Sequence, residues 1–216
     1  METRKLLIGL VLSLTCSLAS ANLITNGSFE TFPQSPYGYG SANTWQIYDE
    51  IEGWDATRTI EVWKDGFLGV NAPDQNYFVE LNAHPRNHPK RFSIFQDITT
   101  EIGQAYELSF WARARNNNSE KFRVNVGGDL NSLITQHVVG EWRQFIYTFV
   151  ASEAISQVRF TSMDRRRDTT GNLLDHIVVT KVPEPGTIVL LILGIVGLFM
   201  QRKLMANLVA KKVRSS

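Results

Sequence analysis

Residues 106–115, "YELSFWARAR", decide how the chain folds. Tyr106, Leu108, Phe110, Ala112 and Ala114 alternate there with Glu107, Ser109, Trp111, Arg113 and Arg115. A period of two sends the first set to one face of an extended strand and the second set to the other. The segment therefore reads as a half-buried β-strand. The same reading extends in both directions. "KFRVNVGGDL", 121–130, alternates and then meets Gly127-Gly128, a hairpin signal. "RQFIYTFVA", 143–151, puts Phe145, Tyr147 and Phe149 on one face. "ISQVRFTSM", 155–163, groups Ile155, Val158 and Phe160, and "LLDHIVVTKV", 173–182, supplies a last strand. "RTIEVW", "DQNYFVELNA" and "RFSIFQDI" are shorter candidates. No stretch between residues 22 and 181 carries a helical period. Many short strands between polar turns predict an all-β sandwich.

The two ends of the chain read differently. Arg4 and Lys5, an apolar run from Leu6 to Leu14 and the small residues Ala19-Ser20-Ala21 form the pattern of a secretory signal over residues 1–21. Signal peptidase and the secretion machinery are then partners of the precursor. Cys16, the single cysteine, falls inside that segment, so the mature chain is expected to have no disulfide and no cysteine metal site. At the other end, Pro183 and Pro185 break preceding structure, and an apolar run follows from about 187 to 201. Gly194 and Gly197 suit a membrane helix, and Arg202 and Lys203 close it. From residue 201 onward there are five Lys/Arg and no Asp/Glu, which directs the 204–216 tail to the cytoplasm and the body to the outside.

Residues 22–182 hold 19 Asp/Glu against 15 Lys/Arg, a mildly acidic body that argues against a nucleic-acid partner. Sugars present hydroxyls for planar hydrogen bonds and C–H faces for aromatic stacking. A sheet face carrying Trp beside Arg, Asn and acids suits them. Trp111 with Arg113 and Arg115 offers this combination, and Trp63 with Glu61, and Glu80 with Asn82, line candidate neighbouring strands. Trp54 and Trp142 read as structural. His84 and His88 stand at helical ligand spacing, but Pro85 and Pro89 make that stretch a loop. "DRRRD", 164–168, reads as a solvated loop with local ion pairs. No nucleophile elbow, phosphate loop or zinc signature occurs, and no carboxylate spacing identifies a glycosidase pair. Catalysis is not expected.

Two resemblances rest on these residues. Pro183-Glu184-Pro185, an apolar helix and a basic cluster with Arg202 and Lys203 resemble the PEP-CTERM sorting signal of Gram-negative bacteria. That resemblance implies handling by an exosortase-type enzyme and association with extracellular polysaccharide or biofilm matrix. It also implies a body anchored at the inner membrane, or released to the surface after processing. "NLITNGSFE" (22–30), "EGWDATRTIEVW" (52–63), "NYFVELNA" (76–83) and "GNLLDHIVV" (171–179) together resemble the galactose-binding-like jelly rolls that include carbohydrate-binding modules. The resemblance implies a structural calcium site shared by the first and last strands, with Glu30 and Asp175 as the candidate carboxylates. A second acid often follows the aspartate in that family, and here it is His176. The functional expectation is an exported polysaccharide-binding or matrix-organising sandwich. A matrix protein making only protein contacts is the alternative, and a glycoside hydrolase the minor one.

Overall fold

The computed structural model describes residues 21–34, 40–82, 91–116, 120–135, 139–163, 170–183 and 193–203. Residues 1–20, His84, His88, the 164–168 loop, Glu184, Pro185 and the 204–216 tail lie outside them. The chain divides into two compact units, Met1–Val182 and Pro183–Ser216.

The first unit is an all-β sandwich of two antiparallel sheets. One has seven strands in the order β1 (Gly40–Ser41), β2 (Trp45–Tyr48), β4 (Ile60–Lys64), β5 (Tyr77–Glu80), β12 (Asn172–Lys181), β7 (Ala105–Ala114) and β10 (Arg143–Val150). The other has five: β3 (Asp55–Ala56), β6 (Ser93–Thr99), β11 (Ile155–Ser162), β8 (Phe122–Val126) and β9 (Leu130–Ile134). The alternation of 106–115 appears in β7 as a strict succession of buried and half-buried residues. Gly127 at φ +50° turns β8 into β9, with Asp129 N–H donating to the Val126 carbonyl at 3.0 Å. The inward residues of both sheets make one core. Phe110 stands near its centre, edge-on to Phe160 at 5.0 Å and stacked on Phe145 at 5.4 Å. Fully burying a side chain of this size contributes about 1.5–3 kcal/mol.

The "NGSF" stretch has a local reason. Residues 22–29 run along β12, where Leu23 N–H donates to the Val179 carbonyl at 2.8 Å and Ile177 N–H to the Gly27 carbonyl at 2.9 Å. A Cβ at Gly27 would stand 2.0 Å from the Ile177 carbonyl oxygen, so only glycine permits this approach. The contact sits where β12 breaks register between Asp175 and Val178, a bulge that leaves His176 at φ +49°.

In the second unit, residues 193–203 form a helix. Leu193, Ile195, Val196, Leu198, Phe199 and Met200 are exposed on it, and Gly194, Gly197 and Gln201 make up its remaining side. Residues 187–192 of the expected span of about 187–201 lie outside the described residues. Arg202 and Lys203 lie within the helix rather than beyond it, and no helix among the described residues is long and apolar enough to cross a membrane.

Candidate functional site

Side chains on the outer face of the seven-stranded sheet come from alternate positions of six neighbouring strands. Glu61 of β4 stands opposite Glu80 of β5, Glu80 opposite Leu173 of β12, and Leu173 opposite Arg113 of β7. One step along, Trp45 faces Trp63, Trp63 faces Phe78, Asp175 faces Trp111, and Trp111 faces Gln144. The residues expected to bind a glycan thus do share one sheet face or its end.

They do not form one open platform. Trp63 and Glu80 are each 1% exposed and Asn82 is 5% exposed. The loop between β4 and β5 explains the first. It folds back over the sheet and makes a second apolar cluster of Trp63, Val70, Phe78 and Leu173, with Phe67 and Trp142 packed against it. Phe67 meets Trp63 edge-on at 4.7 Å, and Trp142 meets Phe78 edge-on at 5.5 Å while its indole N–H donates to the Asn71 carbonyl at 2.7 Å. Trp142 is structural, as expected, and so is Trp54, which is 1% exposed and donates to the Asn26 carbonyl.

Arg115 ties the buried group together. Its Nη1 donates to both Glu80 carboxylate oxygens, at 3.1 and 3.0 Å, and its guanidinium lies 4.7 Å from the centre of the Trp63 ring. The Trp63 indole N–H donates to Glu61 Oε1 at 2.8 Å, Gly171 N–H to Glu80 Oε1 at 2.7 Å, and Asn82 Nδ2 to the Thr170 carbonyl at 2.9 Å. Burial, and then Glu61 beside it, push the Glu80 carboxyl well above the usual range, against the lowering pull of Arg115 and Gly171 N–H. Trp63, Glu80, Asn82 and Arg115 are therefore parts of one internal knot. Sequence reading passed over Glu120, which is fully buried and accepts the backbone N–H groups of Arg115 and Asn116. An acid five residues past an arginine in a loop carries no periodic signal.

What stays accessible on this face is Trp111. It is half-buried, with exposed Gln144 across on β10, and Ser109 and Arg113 two residues away along β7. The Arg113 guanidinium lies 6.0 Å from the Trp142 ring, and its Nε is buried with no hydrogen-bond partner.

A second group gathers near the β12 bulge. Asp175 is fully buried; its Oδ1 accepts the His176 N–H at 2.7 Å and its Oδ2 the Asp74 N–H at 3.1 Å. Burial pushes its carboxyl up to about 8; the two N–H donors oppose the rise, and Asp74 and Glu30 add to it. Glu30 Oε1 accepts the N–H groups of Asn76 at 2.7 Å and Tyr77 at 2.9 Å. Asp74 Oδ2 accepts from the Ser28 hydroxyl and lies 2.7 Å from His176 Nδ1. Burial raises the Asp74 carboxyl, but the hydrogen bonds from Ser28 and His176 outweigh it and hold the group below its usual range. Hard oxygen donors with surplus negative charge are the chemistry calcium takes. The carboxylates as placed clip the 74–77 segment to the N-terminal segment and β12, and among the described residues no three acidic or histidine side chains converge at metal-binding geometry. Glu30 and Asp175 are brought together as expected. Asp74, 101 residues from Asp175, was not foreseen.

A family profile described as "Protein of unknown function (DUF642)" matches residues 22–180. No curated protein matches the chain. Among solved structures, the apo form of a cyclase from Fischerella sp. is 14% identical, with 78% of this chain and all of that one covered and a TM-score of 0.50. The carbohydrate-binding module TmCBM61, in complex with β-1,4-galactotriose, is 18% identical over 76% of this chain and all of that one, with a TM-score of 0.45. A CBM4 structure is 18% identical over 74% of this chain and 99% of that one, with a TM-score of 0.42. At these identities the likeness is one of fold.

Proposed function

Since the chain belongs to the DUF642 family of proteins of unknown function, we propose its role from its own surface: an exported, non-catalytic sandwich of the galactose-binding-like jelly-roll type that binds or organises extracellular polysaccharide. The observation that carries this reading is Trp111. A half-buried indole on a regular outer sheet face, with the Gln144 amide across from it, pairs a stacking surface with a hydrogen-bonding group. Arg113, next on the same face, adds a guanidinium. The carboxylates of this face support binding over hydrolysis. Glu61 and Glu80 are each 1% exposed, and Glu80 is held by Arg115 and the Gly171 N–H, so neither is placed to reach a polymer. Trp111→Ala is expected to weaken binding to the matrix polysaccharide about tenfold or more in affinity electrophoresis, with the melting temperature little changed. Unchanged mobility for that variant removes the assignment and favours a matrix protein that contacts other proteins.

Residues 1–21 and the C-terminal Pro183-Glu184-Pro185 segment give the address in this reading. An apolar helix exposed on all faces is the kind that ends in a membrane or against a partner helix. The helix of 193–203, carrying Arg202 and Lys203, is the described portion of a sorting signal handled by an exosortase-type enzyme. Mass spectrometry of the mature protein is expected to find a C-terminus near residue 183 and an N-terminus at Asn22. An intact C-terminal helix in the extracellular fraction would overturn the processing step. Calcium, where bound, would have to draw Glu30, Asp74 and Asp175 closer together than they stand, its charge then offsetting three neighbouring carboxylates.

A further inference from the structure

The four edge strands of the sandwich are not alike. Among the described residues, β1 and β3 are two residues long and β9 is five, whereas β10, Arg143–Val150, is eight. Short edge strands, charges and prolines are the means by which proteins keep sheet edges from pairing with other chains. β10 carries no proline, and Arg143 at its start is its single charge. Its outward residues include Ile146 and Val150, each 56% exposed. Of the seven large apolar side chains exposed on the described sandwich, four (Leu133, Val139, Ile146 and Val150) come from β9, β10 and the segment between them. Both sheets end on that side, where the Ser132 hydroxyl of β9 donates to the Tyr147 hydroxyl of β10 at 3.4 Å.

We propose that β10 is a self-association edge: two copies of this chain pair β10 with β10 antiparallel about a two-fold axis, joining their seven-stranded sheets into one. The sequence of the strand selects both the partner and the register. Residues that face each other across a strand pair must lie on the same sheet face. Ile146 and its even-numbered neighbours point outward, while Phe145, Tyr147 and Phe149 point toward the core. With the axis at Ile146, that residue meets its own copy, Gln144 meets Thr148, and Phe145 meets Tyr147. Over 144–148 apolar then faces apolar, polar faces polar, and aromatic faces aromatic, while Arg143 falls opposite Phe149, a cation beside a ring. The two Arg143 side chains fall at opposite ends, so no like charges meet. Shifting the axis to Tyr147 sets Ile146 against Thr148 and Gln144 against Val150, and the match is lost. Such an isologous contact closes on itself as a dimer, leaving the blunted β1 edges outermost.

The test places a thiol on the axis. Paired residues across antiparallel strands have Cα atoms about 4.5–5.5 Å apart, inside the range a disulfide spans. In the full-length chain with Cys16→Ser, Ile146→Cys is expected to form mainly disulfide-linked dimer under mild oxidation. Ile155→Cys, exposed at the start of β11, is expected to remain uncrosslinked. A single-position crosslink separates this contact from association through the apolar C-terminal helix. Equal crosslinking at both positions, or none at Ile146→Cys, overturns the proposal. Ile146→Lys supplies the second measurement. It is expected to shift the protein from dimer to monomer in sedimentation velocity while leaving the melting temperature unchanged, because Ile146 projects from the outer face of an edge strand. A dimer that persists in this variant overturns the proposal.

Discussion

Arg115→Ala is expected to destabilise the sandwich by about 3–5 kcal/mol at pH values where Glu80 is ionised, the usual cost of leaving one partner of a buried ion pair behind. In a domain of this size that corresponds to a fall in melting temperature of about 10 °C. Glu80 is 1% exposed, and both of its carboxylate oxygens receive Arg115 Nη1. The same change strips the cation from the face of Trp63. The pH dependence supplies a signature that simple loss of packing would not. Glu80 already sits well above its usual range in the folded protein, so its contribution is fully present at low pH and is lost as pH rises through the folded value. Removing Arg115 raises that value further, so the deficit of the variant should widen as pH rises above the usual carboxylate range. Glu80→Gln keeps an acceptor for Gly171 N–H and should cost about 1 kcal/mol. Thermal melts as a function of pH check all three statements. A deficit in Arg115→Ala that is flat with pH would remove Glu80 from the account.

Asp175 gives the second large effect. In metal-free protein its carboxyl is pushed up to about 8 by burial, against about 3.9 in an unfolded chain. A raised folded value means that the native state holds a proton the unfolded state has released. Stability is therefore expected to decline as pH rises from about 4 to 8 in the presence of chelator, by a few kcal/mol, and to level off above that. Asp74 acts in the opposite sense. Its lowered value contributes stability above the ordinary carboxylate range that is lost on acidification below it, so the optimum should fall near pH 4–5. Asp175→Asn should flatten the decline. Millimolar calcium should abolish it and raise the melting temperature at pH 8 if Glu30, Asp74 and Asp175 hold the ion. Identical melts with calcium and chelator would leave these carboxylates as clips for the 74–77 segment alone. A profile that rises from pH 5 to 8 in chelator would contradict the buried, protonated Asp175.

Much of the architecture was legible because burial imposes a period on a strand. The 106–115 alternation, the Gly127-Gly128 hairpin and the aromatic row Phe145, Tyr147, Phe149 each reappear in the structure with the expected face inward. The candidate face was legible in part. Trp111 and Arg113 alternate on β7, so their shared side followed from spacing alone, whereas Arg115 lies just past its end and turns in to Glu80. Trp63 was placed on the right face but not at the right depth, since the loop that covers it is seen only when Phe67 is packed on its ring. Glu120 and Asp74 were missed because their partners are reached through turns and through chain distance, where no periodicity operates.

Sequence groups Ile155 with Val158 and Phe160, but Ile155 is 61% exposed while those two are buried. The order of apolar and polar residues, by itself, determined that the body is an all-β sandwich and which side of β7 and β10 enters the core. That is a local property, since each side chain's direction follows from its neighbour's. Tertiary structure alone decided which outer surface is roofed by a loop, which carboxylates share a site across 101 residues, and that β10 is left at an edge. Those outcomes depend on which distant segments arrive beside one another, and a strand's sequence encodes its own two faces but not what comes to cover them.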